Sequence, residues 1–197
     1  MTHPHRDAPT PATTPATTSP ATPSSDVPSP RTSPDDAARL VAWGQELRAV
    51  HARLRDALEV AREAVADHAT SVPGAVDPRR ELGLFCHGFC QALEGHHRGE
   101  DASVFTALLE LRPDLAGVVA ELKRDHTALD HLLAALARAV DAGADAATLE
   151  RHLDGIDAVM ETHFRYEEKR LVEVLDEPAV AAALAGTDRR EVLGPLA

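Results

Sequence analysis

Between residues 40 and 175 the apolar positions recur in alternating steps of three and four, the repeat of helices that each bury one face. The first seam runs Leu40, Gly44, Leu47, His51, Leu54, Leu58, Ala61 and Val65. Its helix is expected to start near Ser33, with Pro34 at the first position and Asp35 and Asp36 in the first turn, where unpaired N–H groups favour carboxylates. It is expected to end near His68, ahead of Thr70-Ser71-Val72-Pro73-Gly74. Asp77 caps a second helix that has Pro78 at its first position and Glu81 near its start. That helix reaches about Leu111 on a less regular seam of Leu82, Phe85, Phe89, Leu93, His96, Glu100, Val104 and Leu108. Pro113 opens a third, with Leu115, Val119, Leu122, His126, Leu129, Leu133, Leu136 and Val140 inward and Gly143 as its stop. Asp145 caps a fourth, carrying Leu149, Leu153, Ile156, Met160, His163, Glu167 and then Val174, which closes near Asp176 before Pro178.

Four long helices joined by short loops pack as antiparallel neighbours. The predicted fold is therefore all-α, an antiparallel up-down-up-down four-helix bundle over residues 35–177. Residues 178–197 form a C-terminal extension, with a short weaker helix within 178–194 packed on the end. Residues 1–34 hold nine prolines among Thr, Ser and Ala. They bury too little apolar surface to offset their ordering entropy, so they are expected to be a disordered tail with His3 and His5 solvated.

Composition narrows the function classes. Hydrophobic residues make up 44% of the chain but aromatics only 3%, a balance that suits helix-on-helix packing better than a β-sandwich. The formal net charge is −12 with no basic patch, which excludes the phosphate neutralisation that nucleic-acid binding needs. No apolar run approaches the roughly 20 residues of a membrane span, and the N-terminus lacks a secretory apolar core. Cys86 and Cys90 share a helix face, where a disulfide is unfavourable, so a reducing cytoplasmic setting is expected.

Chemistry enters where the seams break. Each helix puts a histidine at a position that calls for an apolar residue: His51, His96, His126 and His163. Two helices add a carboxylate one turn later, Glu100 and Glu167. At 1.5 Å rise per residue, all six fall roughly 14–22 Å from the end where the second and third helices meet, and so occupy one layer. Unpaired buried carboxylates are costly, and a cation compensates them. His96-x3-Glu100 and His163-x3-Glu167 each offer one metal a nitrogen while the carboxylate bridges to a second. Imidazole and carboxylate without thiolate suit iron, manganese or zinc. His97 and Asp101 form a parallel pair about 100° off the seam, as further ligands or as groups behind them. Asp125 or Asp101 is placed to orient a ligand imidazole. His68, His87 and His152 read as boundary residues, Phe164 and Tyr166 as packing, with Tyr166 close enough to donate a hydrogen bond or an electron.

The segments HHRGED (96–101), DHTALD (125–130) and ETHFRYEE (161–168), with the earlier histidine in AVHARL (49–54), resemble the hemerythrin-like HHE pattern over about residues 40–176. The resemblance implies two non-haem iron ions (Fe2+/Fe3+) joined by an oxo or hydroxo bridge, with manganese or zinc fitting less well. It makes His51, His96, His126 and His163 terminal ligands, and Glu100 and Glu167 bridges. Oxygen-carrying members have another histidine one turn after the third-helix ligand, where this chain has Asp130. Asp130 is thus a further candidate ligand, while His131 lies too far round the helix. This departure weakens a carrier role and favours binding or sensing of iron, dioxygen, peroxide or another small diatomic ligand. A di-iron oxidoreductase consuming peroxide or oxygen is the alternative. A metal-free helical interaction module with a pH-responsive histidine core is the third reading.

Overall fold

Proline, aspartate and glycine set the helix ends in the computed structural model, which describes residues 43–70, 78–185 and 187–197. The expected tail 1–34, the helix start at 33–36, Leu40, the turn 71–74 and the Asp77 cap lie outside the described residues, as does the side chain of Glu81. Helix α1 spans Trp43–Thr70. Helix α2 runs Pro78–Gly99, passes through a π-helical stretch Glu100–Val104 and closes with Phe105–Leu111. A 3₁₀ turn at Pro113–Leu115 leads into α3, Ala116–Asp141. Helix α4 is Ala146–Leu175, and two short helices follow, α5 at Pro178–Leu184 and α6 at Arg189–Leu193. All regular structure among the described residues is helical.

The stops have visible chemistry. Gly143 adopts φ 69°, and the N–H groups of Gly143 and Ala144 donate to the carbonyls of Val140 and Ala139, closing α3 in a Schellman motif. Asp145 then starts α4 by accepting the Thr148 N–H at 2.7 Å. The C-terminal extension departs from the single segment expected. Ala185 and Asp188 are both extended, so residues 178–194 divide into two helices, and the described residues hold six helical elements rather than four.

The four long helices form a ring of contacts, α1 on α2 and α4, α3 on α2 and α4. Side-chain pairs give the directions. Along α1, Gly44, Arg55 and Arg62 meet Asp176, Glu161 and Asp154 of α4, so those two helices run oppositely. His87 and Asp101 of α2 meet Asp141 and Lys123 of α3, and Glu121 and Asp125 of α3 meet Tyr166 and His163 of α4. Both pairs are antiparallel as well.

The seams of α1 and α3 are buried along their described length, save Val140, which is half-buried. Two predicted seam positions are corrected. Phe85 is 42% exposed, and Cys86 takes its place at 1%, because Leu82, Cys86, Phe89 and Leu93 keep the four-three-four rhythm. Val174 is half-buried, whereas Leu171 and Leu175 continue the face of Glu167 at one and two turns. Past His96 the inward residues of α2 step by four each time, Glu100, Val104 and Leu108, which outruns an α-helix. The π stretch absorbs the excess, with the Phe105 N–H bonded to the Glu100 carbonyl five residues back.

Glycines test the packing in both directions. A Cβ on Gly44 would stand 2.6 Å from the Val172 carbonyl oxygen, so Gly44→Ala should destabilise the protein by about 1–3 kcal/mol. A Cβ on Gly155, inside α4, meets nothing within 4 Å, and Gly155→Ala should stabilise by about 0.5–1 kcal/mol. Urea denaturation of the two variants beside wild type measures both.

Candidate metal centre

The seam histidines and glutamates converge at mid-height in the ring. His51 comes from α1, His96 and His97 from the last α-helical turn of α2, Glu100 from the first residue of the π stretch, His126 from α3, and His163 and Glu167 from α4. All seven are 2% exposed or less. Their donor atoms form two groups, each with all members within 4.8 Å of one another: His51, His96, Glu100 and Glu167 in one, His97, His126 and His163 in the other.

The inner atoms face one another at close range. His51 Nε2 stands 3.2 Å from His96 Nε2 and from Glu167 Oε2. His96 Nε2 lies 3.2 Å from Glu100 Oε1. On the other side, His126 Nε2 lies 3.2 Å from His163 Nε2 and 3.5 Å from Glu100 Oε2. The oxygens of Glu100 and Glu167 and both ring nitrogens of His97 are buried without a hydrogen-bond partner. Such groups are expensive to leave unpaired in a protein interior. A bound metal cation would meet that demand, and the donors are already aimed at the centre.

Outer partners set the tautomers. The His51 Nδ1–H donates to Glu168 Oε1 at 2.9 Å, and the His96 Nδ1–H donates to the Leu193 carbonyl at 3.1 Å. A carbonyl only accepts, so His96 carries its proton on Nδ1 and turns a bare Nε2 inward. His126 Nδ1 faces Asp101 Oδ1 at 3.3 Å, and His163 Nδ1 faces Asp125 Oδ2 at 3.5 Å. His51 and His96, with Nε2 inward and Nδ1 hydrogen-bonded outward, show the arrangement that orients metal-binding histidines, and His126 and His163 have a carboxylate near Nδ1. Phe164 stacks on His51 at 3.8 Å, and Phe105 lies parallel to His126 at 5.5 Å, so apolar walls back the layer.

The electrostatics follow from burial. Burial holds His96 and His97 well below the usual imidazole range, His126 down to about 3, and His163 below its ordinary value. All four imidazoles are therefore neutral at neutral pH. For His51 burial also lowers the pKa, but the carboxylates of Glu167 and Glu168 outweigh it and the net shift is upward. Burial, followed by the charge of Glu167, pushes Glu100 well above the carboxylate range. Burial would raise Glu167 too, yet the imidazoles around it, His51 first, bring it down to about 2.

Not every candidate sits in the layer. Asp101 stands behind His126, on the outer side. Asp130 is exposed and borders a groove of about 220 Å³ between α2 and α3 with His87, Cys90 and Glu94, because Leu129 takes the inward position one turn after His126. His131 is exposed and bonded to the Thr127 carbonyl. The Tyr166 hydroxyl donates to Glu121 at 2.6 Å on the exposed side, away from the layer. His87 pairs with Asp141 at the surface. Burial pushes the Cys86 and Cys90 thiols up to about 11 and about 12, so neither is a thiolate.

Three participants escape a one-seam reading. His97 is fully inside, stacked on His126 at 4.0 Å, because α2 has two ring neighbours: His96 faces His51 of α1 while His97, 100° round, faces α3. The run of three four-residue steps after His96 was the available signal of a broadened buried arc. Glu168 and the Leu193 carbonyl had no signal, since each acts from outside the seam.

The family profile described as the hemerythrin HHE cation binding domain matches residues 45–175, which take in all seven layer residues. No curated protein and no solved structure matches the chain.

Below pH 6.5 the unfolded chain gains protons that folded His96, His97, His126 and His163 refuse, so their contribution to stability is complete above 6.5 and declines as pH falls. Within the layer the raised His51 and Glu100 oppose this, two groups against four. Thermal melts of metal-stripped protein from about pH 7 to about pH 5 should show a falling Tm.

Proposed function

The chain belongs to the hemerythrin HHE cation-binding domain family, and from that premise we propose that its buried layer holds two non-haem iron ions and responds to oxygen, peroxide or redox state, within an up-down-up-down four-helix bundle. The observation that carries this reading is the presence of two buried carboxylates and five buried imidazoles in two adjoining donor groups, with no hydrogen bonds to the carboxylate oxygens. Imidazole and carboxylate donors suit iron, and a closed structural zinc site uses four ligands rather than seven.

His51 and His96 would hold one ion and His97, His126 and His163 the other, with Glu100 and Glu167 within reach of both groups. In this assignment His97 supplies the nitrogen that Asp130, exposed on the far side of α3, does not. Iron bound there supplies a centre that exchanges electrons with small oxidants. The chain's own residues exclude water with Phe105 and Phe164, and keep the Nε2 atoms of His51 and His96 unprotonated through Glu168 and the Leu193 carbonyl. Burial of the whole layer admits only small molecules such as dioxygen or peroxide. Among the described residues no helix is long and apolar enough to cross a membrane. A reducing cytoplasmic compartment suits the free thiols of Cys86 and Cys90.

Protein loaded anaerobically with ferrous iron should hold about two irons per chain and develop near-ultraviolet bands in air. Glu167→Ala and His97→Ala should each lower the iron content, and Asp130→Ala should leave it unchanged. Loading of wild type with no iron, or with a single zinc and no spectral change, overturns the proposal. Peroxide turnover abolished by Glu100→Ala would move the assignment from sensor to oxidoreductase. A fold and stability indifferent to metal would favour an interaction module.

A further inference from the structure

Helix α6 packs against α2 on both its α-helical run and its π stretch, beside the metal layer rather than at the far end of the bundle. The approach is close enough to require glycine three times. A Cβ on Gly99 would stand 2.7 Å from the Val192 carbonyl oxygen and 2.8 Å from that of Glu191. A Cβ on Gly95 would stand 2.7 Å from Pro195 Cδ. Gly194 has φ +85°, a conformation that suits glycine, and a Cβ there would meet His96 N at 2.5 Å. Gly95 and Gly99, one turn apart on α2, therefore form a shallow slot into which residues 191–195 fit.

What the slot delivers is the Leu193 carbonyl. It accepts the His96 Nδ1–H, with Val192 and Leu193 both buried beneath it. The other three oriented imidazoles, His51, His126 and His163, face carboxylates carried by the long helices themselves. His96 alone among the four depends on a separate element. That element is five residues long, too short to be helical by itself, and stands only through its contacts with the bundle, among them an Arg189–Glu46 ion pair to α1. It belongs to the class of segments that open locally while the rest stays folded.

We propose that residues 189–197 are a positioning strap for the metal layer: seated in the Gly95–Gly99 slot, the strap fixes the His96 tautomer and closes the α2 side of the layer, and so controls how fast metal leaves. This rests on the metal reading above, and it makes Leu193 a positioning residue that never touches the ions.

The test compares full-length wild type, Gly99→Ala, Leu193→Ala and Gly88→Ala. A Cβ on Gly88, on the same helix, meets nothing within 4 Å, which makes it the control. Iron-loaded proteins are mixed with excess ferrous chelator and the release rate is followed. Metal-free proteins are examined by 15N–1H NMR for the position of the His96 ring proton. Gly99→Ala should release iron about 10- to 100-fold faster and lose the Nδ1–H form, as expected when the partner of a ligand histidine is displaced. Leu193→Ala, which loosens the strap without a clash, should move both readouts in the same direction, and Gly88→Ala should move neither. Release rates within about twofold of wild type in both strap variants overturn the proposal, as does a retained Nδ1–H form in Gly99→Ala. If Gly99→Ala does not fold, Leu193→Ala decides by the same criteria. A wild type that takes up no iron overturns the metal reading instead, and the NMR measurement still decides whether the strap sets the tautomer.

Discussion

Two carboxylates stand at the centre of a helical ring with no N–H or O–H donating to their oxygens. Their desolvation is the constraint around which the rest is arranged. Every long helix answers it with at least one imidazole at the same height, and both carboxylates group with His51 and His96 while Glu100 approaches His126 at 3.5 Å and Glu167 approaches His163 at 3.7 Å. An all-leucine layer would be easier to fold and more stable. That the chain instead places seven ionisable residues in its core points to a positively charged occupant, since imidazoles that burial keeps neutral do not offset Glu167 and burial makes Glu100 hard to ionise without a cation beside it.

The neutrality of those imidazoles is itself a product of the fold. Burial first, then the neighbouring imidazoles, suppresses the charged form of His96, His97 and His126, and Glu168 and the Leu193 carbonyl decide which nitrogen of His51 and His96 keeps the proton. With Phe164 flat on His51 and Phe105 behind His126, the rings have few alternative rotamers. The layer is thus pre-organised, and binding a cation there need not reorganise the core. The π stretch serves the same end: by stretching the turn that begins at Glu100, it keeps Val104 and Leu108 inward after two successive histidines have broadened the buried arc of α2.

Helix α2 is unusual in having partners on three sides, α1, α3 and the C-terminal helix. Its glycines do not share one role: a Cβ at Gly88 meets nothing within 4 Å, whereas at Gly95 and Gly99 it meets the strap. Composition at those sites reports a contact with residues roughly a hundred positions away in the chain, and only the contact gives the glycines meaning.

The sequence by itself determined the long helices, the stop at Gly143 and the start at Asp145, and the register of the first and third seams, because periodicity, Asp145 and Gly143 act within a few residues of where they stand. It also determined the depth of His51, His96, Glu100, His126, His163 and Glu167, since helix rise and short loops convert residue number into height. Only the tertiary structure decided which side of α3 leaves Asp130 exposed, that Cys86 rather than Phe85 is buried, and that His97 faces inward, because each depends on how wide an arc the neighbouring helices cover. The same is true of Glu168 and Leu193. A hydrogen bond from a ring nitrogen to a partner 117 or 97 positions along the chain leaves no periodic mark on either residue, and it exists only once the packing of several helices has brought the two together.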